Sequence, residues 1–328
     1  MSVVKTISTF GRIALFALVA TGVISPVLAQ TYPNKPIRLI SGVGVGGTFD
    51  IFVRALGEEL TRKWGQAIVI EPRPGGNFIT AARACADAAP DGYTLCSLSG
   101  DNLVYPEFLF RDLGFDIRNG LKPIVNLFFN PQMLVVTSSL KARTLEDVAA
   151  AARQRPKTLA YMAPAPPSRL FMEYFNRQYG LDIVGVPFRG GSDALSNLMS
   201  GSIHFVFTGA ANFSSLIDDG QIYPLVIDTP QRLPQYPDVP TMIEAGYKGA
   251  LVRNYLGLVG PGQLPDALIA QINAAVNDVM NDPAFRKRHL FDRGLQPANG
   301  STTEFEAFLT QDRVESAKVV QEAHLPVQ

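Results

Sequence analysis

Along this chain the hydrophobic positions switch repeatedly between short unbroken runs and a three-to-four spacing, as strands alternating with helices require. Pro36 to Ile40 reads as a strand. Phe52, Leu56, Leu60 and Trp64 then share one face of a helix over Thr48 to Trp64, with Gly65 as its stop. Ala67 to Glu71 reads as the next strand, and Phe78 to Ala88 as a helix closed by the turn cluster Pro90-Asp91-Gly92. Tyr93 to Leu98 follows as a strand. A second unit begins after the apolar stretch Met133 to Val136, where Thr144 and Asp147 have the spacing of a capping box for a helix towards Arg153. Strands at Leu159 to Tyr161, Ile183 to Val186 and His204 to Phe207 then alternate with helices at Leu170 to Tyr179 and Asp193 to Met199.

From Leu256 the pattern becomes a Gly- and Pro-rich crossing. Leu268, Ile272, Val276 and Val279 then mark a helix face, and Ser301 to Glu304 offers a capping box for a last helix. Strand-helix alternation favours mostly parallel sheets covered by helices. A helical tail after two such units is what a discontinuous first domain needs. The division predicted is lobe 1 at residues 30–128 plus 255–328 and lobe 2 at residues 129–254, joined by two crossing segments that make a hinge and a cleft.

Chemistry concentrates at Gly42-Val43-Gly44-Val45-Gly46-Gly47, between a predicted strand and helix. The run satisfies GxGxxG, and Glu71 ends the next strand near the position of a ribose-binding acid, so an exported NAD(P)-binding oxidoreductase is one reading. The other is capture of a carboxylate. Both use glycine for close backbone approach and the helix-start amides for a negative charge. A dehydrogenase also needs an acid or base beside its nicotinamide. The histidines, His204, His289 and His324, fall within a strand or in C-terminal helical segments. No nucleophile-base pair, metal-spaced His cluster or paired-carboxylate motif stands out, so neither a catalytic residue nor a metal site is assigned.

The chain's start changes the picture further. Lys5 and Arg12 precede an apolar run from Ile13 to Ile24, then Pro26 and the small-residue site Val27-Leu28-Ala29. This is the pattern of a secretory signal peptide cleaved after Ala29, and the run is too short to span a bilayer. Periplasmic export is expected, with no lipid anchor, because no Cys follows the cleavage point. Removing that segment leaves 27 basic residues against 29 acidic, without the basic excess of a nucleic-acid binder. Cys85 and Cys96 are the only cysteines. A disulfide between them is geometrically possible but not required, and two buried thiols are the alternative.

The stretch Tyr32-Pro33-Asn34-Lys35-Pro36-Ile37-Arg38, followed by Gly46-Gly47-Thr48-Phe49-Asp50, resembles the mature start of Bug proteins, the extracytoplasmic receptors of tripartite tricarboxylate transporters. Glu71-Pro72-Arg73-Pro74-Gly75, Ala89-Pro90-Asp91-Gly92-Tyr93, Val186-Pro187-Phe188-Arg189-Gly190, Pro237-Asp238-Val239-Pro240-Thr241 and Glu244-Ala245-Gly246 continue the resemblance in order. It implies a two-lobed periplasmic binding protein fold of type II, closing like a Venus flytrap over a small organic carboxylate. The implied ligands are a di- or tricarboxylate, an acidic amino acid or an aromatic acid. It also implies a permease partner, a monomeric receptor, no cofactor and no catalysis, with partnership to a membrane sensor as an alternative. The family's Gly- and Ser-rich loop ending in His appears here as Pro164-Ala165-Pro166-Pro167-Ser168-Arg169, its Asp after the Phe207 strand as Thr208, and its Trp of the second crossing as Tyr255.

Ligands of open α/β sheets sit outside the carboxyl ends of the strands. The candidates in lobe 1 are therefore Val45, Gly46, Gly47 and Thr48, with Ser99, Gly100, Asp101 and Asn102. Those of lobe 2 are Ala163, Pro164, Ser168, Arg169, Arg189 and Thr208. Gly47 and Thr48 are assigned to a carboxylate through their amides, and Arg169 through its guanidinium fork, with Arg189 and Arg253 as weaker candidates of the same kind. Asp50 is expected to stabilise its own helix rather than touch ligand.

Overall fold

The computed structural model of the chain describes residues 32–75, 79–163, 166–186, 191–251, 253–324 and 327. Ahead of Lys35 the Tyr32–Pro33 peptide is cis; the rest concerns residues 35–328. In chain order these form β1 (Ile37–Ser41), α1 (Thr48–Trp64), β2 (Ile68–Pro72), α2 (Ile79–Ala86), β3 (Thr94–Ser99), the short helices α3 (Gly100–Leu103) and α4 (Pro106–Leu109), and β4 (Leu121–Phe129). Next come β5 (Gln132–Thr137), α5 (Leu145–Gln154), β6 (Ala160–Met162), α6 (Pro166–Tyr179), β7 (Val184–Gly185), α7 (Gly191–Ser200), β8 (Phe205–Gly209), α8 (Ser214–Asp218) and β9 (Ile222–Ile227). The chain ends with β10 (Tyr255–Pro261), α9 (Asp266–Asn281), α10 (Pro283–His289), β11 (Gln296–Pro297) and α11 (Thr302–Glu322).

Two sheets result, ordered β11-β4-β10-β3-β1-β2 and β7-β6-β8-β5-β9. In the first, β1 runs parallel to β2 and β3, while β10 is antiparallel to both β3 and β4. In the second, β6 runs parallel to β7 and β8, while β5 is antiparallel to β8 and β9. The reversed interior strand is in each case the first one formed after the chain crosses between sheets. A chain leaving β4 at its carboxyl end enters the second sheet from the side where strand ends meet, so its first strand there runs against the rest. On the return, β10 likewise runs against its neighbours β3 and β4, and the edge strand β11 shares its direction. The carboxyl ends of β3, β4, β6, β8 and β9 thereby face the junction, and so do the amino ends of β5 and β10.

Local signals act as the sequence demands. Gly65 takes a left-handed φ of 65° and its N–H bonds to the Thr61 carbonyl, closing α1. Thr144 and Ser301 accept from the amides of Asp147 and Glu304 as helix caps. Cys85 on α2 and Cys96 on β3 are bonded, both fully buried with Cα atoms 6.2 Å apart, so the bridge is the alternative realised. Closing so short a loop stabilises by about 2.5–3 kcal/mol on chain-entropy grounds.

Four strands run through stretches without a legible strand pattern. The segment from Leu256, expected as a crossing, is the fully buried strand β10. Its Gly257 leaves room for the Phe305 ring, which a Cβ there would meet at 2.3 Å. Pro123 in β4, Pro224 in β9 and Pro297 in β11 mask those strands in the same way. Helix α6 begins at Pro166, ahead of the expected Leu170, because proline is tolerated in a first helical turn. No helix among the described residues is long and apolar enough to cross a membrane.

Candidate functional site

The two crossings are tied to each other. Asn130 follows β4 and Asn254 precedes β10, and the Asn130 N–H donates to the Asn254 carbonyl at 2.8 Å while their side-chain amides bond at 3.0 Å. A third segment joins them. The amide of Gln132 donates to Asp228 Oδ1 at 2.7 Å, the Asp228 amide returns a bond to the Gln132 carbonyl at 3.0 Å, and Gln132 Nε2 donates to the Asn130 carbonyl at 3.0 Å. The junction is a hydrogen-bonded girdle of backbone and amide groups.

Against this girdle lies a small cavity, part of it open to solvent. From beside the first sheet come Gly100 and Asp101 at the start of α3, with Tyr105; from the second sheet and its helices come Pro167 and Ser168 of α6 and Phe207 of β8. Met242, Ala250 and Leu251, which precede the return, close an apolar side, and Gln132, Asp228, Arg253 and Asn254 form the polar end. Gly100 is required at its position, since a Cβ there would stand 2.9 Å from the Tyr255 ring. Tyr255 is fully buried, and its hydroxyl donates to Asp312 Oδ2 of α11 at 3.1 Å.

Among the described residues, Arg253 is the cation lining this cavity. Its guanidinium lies 3.3 Å from the centroid of the Phe129 ring, and Nη2 donates to Gln296 Oε1 at 2.9 Å. Burial lowers its pKa, opposed by the charge of Asp228. Burial likewise pushes Asp228 up to about 7, against the Gln132 amide and Arg253, which both favour its ionised form. Asp101 is pushed up to about 6 by burial. Behind it, burial raises Asp312 to about 7, although the Tyr255 hydroxyl bond and Arg313 favour its charge. Titratable groups thus converge on the junction with their charged forms disfavoured.

The glycine loop has a different environment. Gly44 to Gly47 are exposed, and Val45 is 70 % exposed. The Gly46 amide, in a left-handed conformation at φ 85°, donates to Asp50 Oδ2 at 2.9 Å, and Arg54 Nε donates to the same oxygen at 2.9 Å. Burial opposes the charge on Asp50, yet these bonds together hold its pKa below the ordinary carboxylate value. The loop therefore carries an anion of its own. Gly42 accommodates Asn102, whose Oδ1 a Cβ would meet at 2.7 Å, so the first glycine of the GxGxxG run serves packing.

Of the residues singled out from sequence, Gly100, Asp101 and Ser168 line the cavity together. Ser99 and Asn102 are buried beside them, with the Ser99 amide and hydroxyl both bonded to Asn102 Oδ1. Ala163 and Thr208 are buried at the ends of β6 and β8. Arg169 is exposed on the first turn of α6, outside the cavity lining, and Val45, Gly46, Gly47 and Thr48 also lie outside it. Pro164 and Arg189 fall outside the described residues. Arg253, a weaker arginine candidate from sequence, lines the polar end, whereas Gln132, Asp228 and Asn254 were missed because they gain meaning only once β4, β5, β9 and β10 are placed. The strand-end rule could have found Asp228, which directly follows the run Ile222 to Ile227.

Two α/β sheets joined by hydrogen-bonded crossings, with a cavity where strand ends of both meet, define a two-lobed binding protein of type II architecture. The model of the tripartite tricarboxylate transporter family receptors, TctC, matches residues 52–325, and the chain belongs to that family. It is similar to a UPF0065 protein of Bordetella bronchiseptica, 29% identical over 90% of this chain and 88% of that one. Protein BugT of Bordetella pertussis is 27% identical over 93% of this chain and 94% of its own length. Among solved structures, that of an R. palustris protein with adipate superposes with a TM-score of 0.77 at 27% identity, covering 90% of this chain and all of the other.

Proposed function

We propose that this protein is a periplasmic receptor that captures a small organic carboxylate in the junction cavity and passes it unchanged to the permease of a tripartite transporter. In this reading residues 1–29 are removed on export, the receptor works as a monomer, and residues 30–128 plus 255–328 close against residues 129–254. The observation that carries it is Arg253, a half-buried cation on the wall of a cavity framed by both lobes. A guanidinium so placed is a partner for a carboxylate. Gly100, Asp101 and Ser168 complete the assigned site. The amides of Gly47 and Thr48, first-turn donors without an intrahelical acceptor, are the contact that closure adds. Arg169, exposed beside Ser168, is a second rim contact, so Arg169→Ala weakens binding while leaving the unfolding midpoint nearly unchanged. Adipate, bound by a relative, marks the size of ligand to try first.

The test is a thermal-shift screen against mono-, di- and tricarboxylates, followed by calorimetry and recovery of the ligand. Binding to the folded state must raise the unfolding temperature. One or more carboxylates stabilising the protein and returning chemically intact is the expected result. Failure of the whole panel to bind, or conversion of a bound compound, contradicts the reading.

A further inference from the structure

The cavity is electrically lopsided. Its charged lining residues, among those described, are Arg253, Asp228 and Asp101. The first two form one group, since the charge of each enters the titration of the other and Asp228 is fixed by the Gln132 amide. Arg253 is in turn held by Gln296 and by the Phe129 face. Asp101 belongs to neither. No ion pair to it forms among the described residues, and burial alone sets its shift. The groups whose charge it feels or affects are Tyr105, Tyr255 and Asp312, none of them cationic. Phe207, Met242 and Leu251 give the wall an apolar stretch, beside the uncharged polar groups of Tyr105, Ser168, Gln132 and Asn254. Asp101 is half-buried, and an ionised carboxylate bordering such a space has no counterion among the described residues, which is costly in proportion to its lost hydration.

We propose that the ligand supplies that counterion: the cavity selects a zwitterion whose carboxylate faces Arg253 and whose protonated nitrogen faces Asp101, with an apolar body between them. This rests on the carboxylate reading above and narrows it. A diacid of equal length sets a second negative charge against Asp101, where the interaction changes sign from attractive to repulsive. Above pH 6 Asp101 is ionised and available to an ammonium group. Below it the acid becomes neutral, and discrimination between the two ligand types fades.

Calorimetry at pH 7.5 with length-matched pairs tests this: glutarate with 5-aminopentanoate, adipate with 6-aminohexanoate, and suberate with 8-aminooctanoate. In the best-fitting pair the amino acid is expected to bind at least tenfold tighter than the diacid, and Asp101→Asn is expected to erase that preference while leaving diacid binding equal or stronger. Should the variant fail to fold, the wild-type protein gives the same answer. The preference for the amino acid must shrink between pH 7.5 and 6, where the diacid is still mostly doubly ionised, while diacid affinity holds or rises. Diacids binding as tightly as their partners at pH 7.5, or a preference that persists in Asp101→Asn, overturns the zwitterion and leaves carboxylate capture standing. Absence of binding across both series removes carboxylate capture as well.

Discussion

The glycine loop after β1 and the girdle around Asn130 and Asn254 both present polar backbone at strand ends, yet their surroundings differ. At the loop, solvent covers Gly44 to Gly47, and Asp50 with Arg54 satisfies a charge pair inside the first turn of α1. At the girdle, Arg253, Asp228 and Asp101 border a recessed space, only partly open to solvent, in which burial shifts each titration. An anion at the loop competes with water and with Asp50. One at the girdle meets a cation whose hydration is already partly lost, where a charge-assisted bond is worth more. A glycine pattern marks where backbone can approach a ligand, whereas burial and charge mark where binding energy is available.

Substitutions can break this contrast. Arg253→Met should have the largest effect, lowering carboxylate affinity by about 30-fold or more, because truncating one member of a buried charge group costs about 2–5 kcal/mol. Titration calorimetry reads it. Gly100→Ala comes next. Its new Cβ must push the Tyr255 ring and thereby the cavity wall, and overpacking of this kind costs about 1–3 kcal/mol of stability, measured by urea unfolding.

A pH scan sharpens the contrast without touching Arg253. Asp312 titrates at about 7 in the folded protein, facing the Tyr255 hydroxyl, Arg313, Asp101 and Glu315, and Asp101 titrates at about 6, facing Tyr105, Tyr255 and Asp312. Both values lie above the unfolded carboxylate value near 4. Between about pH 4 and 7 the folded state therefore binds more protons than the unfolded chain, and stability falls as pH rises through that window. The unfolding temperature should drop from pH 5 to pH 8 through these two groups together with Asp228, also raised to about 7, and Asp312→Asn should reduce the slope. The smallest change is expected from Thr48→Pro, which deletes one loop amide at a helix position that accepts proline. It should lower affinity by about tenfold, the low end expected for one charge-assisted bond, because the loop is solvent-exposed. A loss larger than that of Arg253→Met would reverse the ranking of the two regions.

Much of the scaffold was legible because it rests on local rules. Helix α1 begins and ends at the residues its periodicity and Gly65 dictate, and the capping boxes at Thr144 and Ser301 form as spaced. Strands β4, β9, β10 and β11 escaped because their glycines and prolines are set by tertiary neighbours, as Gly257 is by Phe305. The site divided along the same line. Gly100, Asp101 and Ser168 follow from the strand-end rule, being close in sequence to β3 and β6. Arg253 and Asp228 act together only through pairings between segments far apart in the chain, which no local pattern encodes.

A crystal structure of the mature protein grown with adipate or 6-aminohexanoate tests the central claim most directly. The account predicts the ligand between the two sheets, with a carboxylate oxygen within hydrogen-bond reach of the Arg253 guanidinium. A ligand lying along Gly44 to Thr48 while the space beside Arg253 holds none contradicts it.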